Sequence, residues 1–215
     1  MGRQTQLVIF DWDGTLSDSL ERIVTCLQIS ARELDFPEPS DEAGKDIIGL
    51  GLPEALAQLF PGSKRDELEL FRQCYSKNYV QLDQKPPVFY PQVEETLCRL
   101  KDLGYMLAVA TGKSRKGLNR ILEAHGMTGF FDITRCADET ASKPSPLMLK
   151  EILIDMAVPA SKACMVGDTE FDMAMALAAD VPRIGVSYGA HSVDRLKKYD
   201  LRGCVDDFAL INTYL

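Results

Sequence analysis

The sequence has few of the residues that most often bind zinc or act as imidazole or thiol catalysts, with two histidines and six cysteines among 215 residues. No two cysteines form a CxxC pair, which excludes a zinc knuckle and a thioredoxin-type redox motif. A serine-hydrolase triad is also excluded, because no acidic residue lies between Ser187 of the GVSYG segment and His191. We interpret the cysteines as reduced core residues, which predicts a cytoplasmic protein.

Long apolar runs and an excess of positive charge are missing too. No apolar run approaches the roughly 20 residues that span a bilayer, and the segment before Asp11 is too short for the apolar region of a signal peptide. Lysine and arginine number 24 against 32 aspartates and glutamates, a net charge of −8 that argues against binding to nucleic acid or to an anionic membrane. A hydrophobic content of 46% excludes a disordered chain.

What the sequence does contain is an alternation of short apolar runs and amphipathic stretches, which predicts an α/β fold. The predicted buried strands are 7–10, 106–110, 163–166 and 183–186, with a weaker one at 131–135. Helical spacing of apolar residues occurs at 93–103, 118–125, 146–156 and 171–179. This order predicts a Rossmann-like, doubly wound parallel sheet, which binds its ligand at the carboxyl ends of the strands.

Residues 17–85 interrupt this alternation, because they contain no convincing strand. Helical spacing occurs there at 20–34, 53–60 and 65–82, and Gly44, Gly49, Gly51 and Pro53 mark loops within the segment. We therefore predict a catalytic core of residues 1–16 and 86–215 and an inserted helical cap domain of residues 17–85. An insertion at this point lies over the ligand crevice of the core.

Two carboxylates, Asp11 and Asp13, follow the first predicted strand directly, in the segment DWDGT. Their spacing on a loop at a strand end allows both to converge on one metal ion or on one substrate atom. An EF-hand calcium loop does not fit, because it needs glycine at its sixth position and the sequence has Leu16 there. We interpret the pair as functional.

Two more carboxylates, Asp168 and Asp172, follow the 163–166 strand in the segment GDTEFD. They are one helical turn apart at the start of a predicted helix, where acidic groups are favoured. Asp168 is thus a candidate metal ligand. The alternative is structural, with one aspartate capping the helix and the other facing solvent.

Polar and cationic residues complete the set of candidates. Thr111 and Gly112 follow a predicted strand in the segment TGKS, which resembles the end of a P-loop but has Leu107 where that loop needs a glycine. A threonine hydroxyl and backbone N–H groups at a helix start can still hold a phosphoryl oxygen. Lys143 precedes another predicted helix, in a KPSP turn that its prolines make rigid.

Together and in this order, these four segments resemble the motifs of the haloacid dehalogenase-like superfamily, and most closely its phosphoglycolate phosphatase-like branch. The matching segments are DWDGT, ATGKS, SKPSP and GDTEFD, and the resemblance extends over the whole chain. It implies that Asp11 attacks phosphorus and forms an aspartyl-phosphate, while Asp13 first protonates the leaving group and then activates water. It also implies that Thr111, with Gly112, binds the phosphoryl oxygens and that Lys143 neutralises their charge.

The resemblance further implies a Mg²⁺ ion, bound by Asp11, Asp168 and the backbone carbonyl of Asp13 and supported by Asp172. Simple electrostatics agrees with a cation here. Ionised carboxylates about 4 Å apart repel by roughly 4 kcal/mol per pair at an effective dielectric constant of about 20. Mg²⁺ prefers oxygen ligands and can bridge a carboxylate and a phosphate.

The expected function is that of a magnesium-dependent phosphatase acting on a small phosphorylated metabolite, without a nucleic-acid or membrane partner. Three alternatives stay open. A sugar phosphomutase of the β-phosphoglucomutase type needs a cap cation for a second phosphate, and Lys45 is the candidate. An inorganic pyrophosphatase and a non-catalytic regulatory binding protein use the same fold. The sequence leaves the exact substrate and the oligomeric state open.

Overall fold

The fold is a six-stranded parallel sheet, seen in a computed structural model that describes residues 5–82 and 87–215. The strand order is β3-β2-β1-β4-β5-β6. The strands are β1 Leu7–Phe10, β2 Met106–Thr111, β3 Ile133–Cys136, β4 Ala163–Gly167, β5 Arg183–Val186 and β6 Gly203–Val205. The predicted doubly wound α/β fold is confirmed.

Helices connect the strands and cover both faces of the sheet. In the described residues they are α1 Leu20–Glu33, α2 Asp41–Asp46, α3 Leu52–Leu59, α4 Arg65–Leu82, α5 Val93–Asp102, α6 Arg115–Ala124, α7 Leu147–Asp155, α8 Glu170–Ala178 and α9 Val193–Leu196. None of them is long and apolar enough to cross a membrane.

Strand β1 is the centre of the core because all four of its side chains are fully buried. Val8 and Phe10 pack into the apolar cluster on one face of the sheet, and Leu7 and Ile9 pack into the cluster on the other. Side chains alternate between faces along a strand, and a parallel sheet is covered on both. Each such burial contributes about 1.5–3 kcal/mol, which explains the uninterrupted apolar run before Asp11.

The strand register brings the predicted site segments to one edge of the sheet. Phe10 lies opposite Val109 of β2 and opposite Val166 of β4. The residues that follow these three strands therefore leave the sheet side by side. The chain runs from β1 to β2 on one side and later returns to β4 on the other, so β1 lies at the switch point where such sheets bind ligands.

Helices α1 to α4 pack on one another around an apolar cluster of their own. At its centre the rings of Phe36, Phe60 and Phe71 lie with centroids 4.9–5.2 Å apart. We call these four helices and their loops the cap. The predicted boundary on its return side, at residues 85–86, lies outside the described residues, and the division into core and cap stays a prediction.

Two local predictions about the cap and the sheet were wrong. Gly44 does not mark a loop but lies inside α2, where a Cβ atom would approach the methyl groups of Val24 to 3.2 Å, so the glycine lets α2 pack closely on α1. The weak strand begins two residues later than expected, at Ile133. Phe131 instead turns into the core, with its ring centroid 6.2 Å from that of Trp12.

The cysteines are free thiols, but only half of them are core residues as predicted. Cys26, Cys136 and Cys164 are buried, whereas Cys74 and Cys204 are half-buried and Cys98 is exposed. Cys98 lies beside the buried stripe of α5, whose members are Val93, Thr96, Leu97 and Leu100. An apolar neighbourhood in sequence therefore does not predict which face of a helix a residue occupies.

Candidate active site

The loop after β1 is tightly folded and presents Asp11 first. The Asp11 N–H donates to the carbonyl of Val166 at 3.0 Å, which extends the β1–β4 ladder by one residue. The backbone of Asp11 is thereby fixed at the sheet edge, and only 1% of the residue is exposed. Gly14 then takes φ +83°, and a Cβ atom on it would lie 2.2 Å from Oδ2 of Asp168. Only glycine allows both this turn and this approach.

Lys143 is a fully buried cation that joins two of the predicted site carboxylates. Its Nζ lies 2.5 Å from Oδ1 of Asp11 and 2.7 Å from Oδ1 of Asp172. Burial lowers the pKa of Lys143, but the two carboxylates raise it by more, so its net pKa lies above the ordinary value. The ammonium therefore stays charged, and its burial is tolerated because it is paired.

Asp168 is held by hydrogen bonds from two different loops. The Thr15 hydroxyl donates to its Oδ1 at 2.8 Å, and the Ala190 N–H donates to its Oδ2 at 2.7 Å. Burial, together with the nearby Asp172 carboxylate, raises the pKa of Asp168 to about 7. Asp172 is itself oriented by Thr169, which caps α8 and donates its hydroxyl to Oδ2 of Asp172 at 2.7 Å.

Asp11, Asp168 and Asp172 form a cluster that could hold a metal ion. Each offers a carboxylate oxygen, and these oxygens lie within 4.8 Å of one another. Oδ2 of Asp11 is buried and accepts no hydrogen bond from any described residue. Burial raises the pKa of Asp11 well above its ordinary value, as do the carboxylates of Asp172 and Asp168, although Lys143 opposes them. An orphaned oxygen and crowded carboxylates are what a hard cation would satisfy.

The side chain of Asp13 lies outside this cluster and has partners of its own. Its Oδ1 accepts the hydroxyl of Ser19 at 2.6 Å and lies 2.9 Å from Nζ of Lys113. Sequence reasoning missed both partners. Lys113 belongs to the TGKS segment but received no role there, and Ser19 carried no signal in the sequence. The predicted metal contact through the Asp13 backbone stays a prediction.

When all are ionised, the four site carboxylates pair with two ammonium groups among residues 5–82 and 87–215, those of Lys113 and Lys143. Two negative charges are left uncompensated in a buried region, where charges are costly. One divalent cation would balance them. The residues present therefore fit the metal ion that the motifs imply, both in donor type and in charge.

Thr111 and Gly112 lie at the end of β2, next to the loop that carries Asp11. Thr111 is fully buried, and its Oγ1 accepts the N–H of Lys113 at 3.2 Å. A Cβ atom on Gly112 would lie 2.4 Å from the carbonyl oxygen of Leu50 in the cap. The cap backbone thus touches the core at this glycine, and a side chain there would clash with it.

The cap loop of residues 47–51 lies directly over the carboxyl ends of the strands. Besides the contact at Gly112, the Gly51 N–H donates to the Ser142 hydroxyl at 2.7 Å. Ser142 precedes Lys143, so the cap is joined to the segments that carry Lys113 and Lys143. The 47–51 loop thus contacts the core at the carboxyl ends of the strands, and the division into core and inserted cap stays a prediction.

Comparison with known proteins agrees with these observations. Residues 8–186 match the model of the family described as haloacid dehalogenase-like hydrolase. The chain is 38% identical over 209 residues to Probable phosphatase IndB of Dickeya dadantii, covering 94% of this chain and 90% of that protein. It is 30% identical over 195 residues to a phosphoglycolate phosphatase of Vibrio cholerae, covering 87% and 86% of the two chains.

Solved structures share the fold over the whole chain. The structure described as a predicted phosphoglycolate phosphatase from Haemophilus somnus 129pt superposes with a TM-score of 0.89 at 26% identity and covers 98% of both chains. The family match confirms the resemblance that the four motifs indicate, and with it the prediction of an enzyme. The chain therefore belongs to the haloacid dehalogenase-like hydrolase family.

Proposed function

We propose that this enzyme is a Mg²⁺-dependent phosphatase that hydrolyses a small, phosphoglycolate-like phosphomonoester through an aspartyl-phosphate intermediate. The observation that carries the proposal is the buried Asp11 carboxylate, which has Lys143 on one oxygen and no hydrogen bond on the other. The two oxygens of this carboxylate allow one to attack phosphorus while the other binds the metal ion. The relatives named phosphoglycolate phosphatase support the substrate class.

In the first half-reaction, a carboxylate oxygen of Asp11 forms a bond to phosphorus while the bond to the leaving oxygen breaks. The leaving oxygen takes a proton from Asp13, which lies two residues further along the same loop. In the second half-reaction, water attacks phosphorus and gives a proton to Asp13. The bond between phosphorus and Asp11 then breaks, which releases phosphate and restores both aspartates.

Three other groups would stabilise the phosphoryl group during these transfers. The Thr111 hydroxyl and the Gly112 N–H would donate hydrogen bonds to its oxygens, and the Lys143 ammonium would neutralise its charge. Mg²⁺, bound by Asp11, Asp168, Asp172 and the Asp13 carbonyl, would supply further charge neutralisation. Since Lys143 already touches Asp11, part of this charge is preorganised before any substrate binds.

Closure of the cap over the strand ends supports a small substrate. Asp11 and Lys143 are each 1% exposed, so a substrate reaches them only if the cap moves away from the core. Such motions are common in enzymes that must control water between two chemical steps. The free cysteines and the net negative charge support a cytoplasmic enzyme without a nucleic-acid partner.

The structure gives less support to the alternatives. A phosphomutase of the β-phosphoglucomutase type needs a cation for a second phosphate, but Lys45 is exposed on α2. We therefore favour transfer of the phosphoryl group to water. A pyrophosphatase and a regulatory binding protein share the fold, and turnover measurements separate them from a phosphomonoesterase.

The test compares wild-type enzyme with Asp11→Asn, using p-nitrophenyl phosphate and Mg²⁺. We expect Asp11→Asn to abolish phosphate release, and Asp66→Asn, an exposed aspartate of α4, to leave it unchanged. Undiminished turnover by Asp11→Asn would refute the proposal. Incubation with a hexose phosphate distinguishes the mutase, because a mutase yields an isomeric sugar phosphate and a phosphatase yields inorganic phosphate. Release of phosphate from pyrophosphate, but not from a panel of monoesters, would favour the pyrophosphatase.

A further inference from the structure

The two aspartates of the DWDGT loop pair with two different lysines. Lys143 pairs with Asp11, and Lys113 pairs with Asp13 at 2.9 Å. The second pair is also largely withdrawn from solvent, with side chains of Lys113 and Asp13 that are 12% and 11% exposed. Ion pairs at such positions are screened less by salt than surface pairs are. Salt therefore weakens the electrostatic attraction between Lys113 and Asp13 less than it weakens that of an exposed ion pair.

Lys113 also connects Asp13 with two other parts of the molecule. Its backbone N–H donates to the hydroxyl of Thr111, which is at the end of β2. Its ammonium lies 5.1 Å from the ring centroid of Tyr79, a buried residue of α4 in the cap. An ammonium at this distance from an aromatic ring is attracted to it. The backbone of Lys113 is thus hydrogen-bonded to the core, and its ammonium group packs against an aromatic ring of the cap.

We propose that Lys113 is a positioning residue, which fixes the carboxylate of Asp13 for its work as acid and base. Through its contact with Tyr79, Lys113 also forms part of the contact between cap and core. The inference rests on the proposed function. An aspartate side chain on a loop has several rotamers of similar energy. Lys113 and Ser19 act on the same oxygen of Asp13 and so select one of them.

A competing role for Lys113 is direct binding of the substrate, and the two roles have different kinetic consequences. A residue that binds the substrate equally in the ground state and the transition state changes KM, whereas a residue that orients the acid and base changes kcat. Misplacement of a reacting group by about 1 Å can cost about 100-fold in rate. The measurement must therefore separate kcat from KM.

The experiment uses Lys113→Met, Lys113→Arg and the control Lys116→Met, an exposed lysine of α6. With p-nitrophenyl phosphate and Mg²⁺, we expect kcat of Lys113→Met to fall about 10- to 100-fold, with KM changed less than about threefold. Lys113→Arg should recover part of the loss, because it restores the charge next to Asp13. Lys116→Met should behave as wild type. A rise in KM at normal kcat, or no change at all, would overturn the proposal.

A double variant tests whether Lys113 acts through Asp13. In the Asp13→Asn background, Lys113→Met should lower the residual activity by less than about twofold, because residues that act as a unit are not additive. A full additional loss would show an independent role and overturn the proposal. If Lys113→Met fails to fold, Lys113→Gln replaces it. Glutamine keeps a polar group at the end of the side chain but removes the charge, so the same fall in kcat at a nearly unchanged KM is expected.

These results are distinguishable from failure of the proposed function. If turnover does not depend on Asp11, the proposed function is wrong whatever Lys113 does. If turnover depends on Asp11 and Asp13 but not on Lys113, only the positioning role is wrong. Circular dichroism and thermal unfolding of each variant show whether a loss of kcat comes from a loss of structure.

Discussion

Arg195 of α9 forms an ion pair with Asp46 of α2, and this pair joins the core to the cap. The other guanidinium nitrogen of Arg195 lies 2.6 Å from the Glu170 carboxylate, two residues after Asp168. Next to it, the buried His191 accepts the Glu170 N–H and faces the Asp46 carbonyl. The cap is therefore fastened to the same segment of the core that carries the candidate metal ligands.

From this contact we predict that Arg195→Gln weakens the packing of the cap against the core. The pair is partly exposed, and such pairs contribute about 0.2–1 kcal/mol. Hydrogen exchange of the Gly51 amide, which bonds to Ser142 across the same boundary, should accelerate about 1.5- to 5-fold. Lys198→Gln, which removes an exposed charge nearby, is the control and should leave the exchange unchanged. An unchanged Gly51 amide in Arg195→Gln would contradict a fastening role.

Gly14 allows a second prediction with a matched control. Gly14→Ala would place a Cβ atom 2.2 Å from Asp168, whereas Gly62 has a similarly positive φ but open space around its Cα atom. Gly62→Ala should thus cost only the backbone strain, about 1–2 kcal/mol. Gly14→Ala should cost more and also remove activity, because Asp168 must move. Chemical denaturation of both variants measures the difference. Equal losses of unfolding free energy, with activity retained, would contradict the role assigned to Gly14.

A third prediction concerns the buried Lys143. Lys143→Met leaves Asp11 and Asp172 without the cation between them. Breaking a buried ion pair from one side costs about 3–5 kcal/mol. We expect a loss of unfolding free energy of this order, together with loss of phosphatase activity. Lys150→Met, which alters an exposed lysine on α7, should change neither quantity. An unfolding free energy of Lys143→Met equal to that of the wild type would contradict this prediction, because it would mean that the two ion pairs of Lys143 contribute little to stability.

Metal binding gives a fourth prediction, which is measured without turnover. A ligand that binds only the folded state stabilises it by about 2.7 kcal/mol at 100 times its dissociation constant. Mg²⁺ should therefore raise the unfolding temperature of the wild-type protein. Asp168→Asn removes one of the three clustered carboxylates, so its unfolding temperature should respond much less. The same response in both proteins would place the ion elsewhere, and addition of EDTA should reverse the wild-type shift.

Much of the fold could be predicted because strand burial leaves a clear pattern. The apolar runs that became β1 and β2 are directly followed by Asp11 and Thr111, and the run that became β4 is followed within two residues by Asp168, which also located these predicted site residues. Strand β6 was not predicted because it has only three residues, between Arg202 and Asp206. Helix α2 escaped because Gly44 in its interior resembles a loop residue.

Most of the contacts that sequence reasoning missed depend on tertiary structure; the exception is the bond from Ser19 to Asp13, which joins residues six apart. Lys113 meets Asp13 only because β2 lies beside β1, and Tyr79 meets Lys113 only because α4 packs over the core. His191 was considered only as a possible hydrolase residue, whereas its ring contacts Glu170 and the cap. No local pattern encodes such pairs, because they join segments tens of residues apart.

The central claim is that Asp11 becomes phosphorylated during turnover. The most direct test is to quench the enzyme with acid during steady-state turnover of p-nitrophenyl phosphate with Mg²⁺ and to locate the phosphoryl group by peptide mass spectrometry. We predict an acid-stable, base-labile phosphoryl group on the peptide that contains Asp11, and none in Asp11→Asn. Turnover with the phosphoryl group on another residue, or with no phosphorylated enzyme even when Asp13→Asn slows its hydrolysis, would contradict this account.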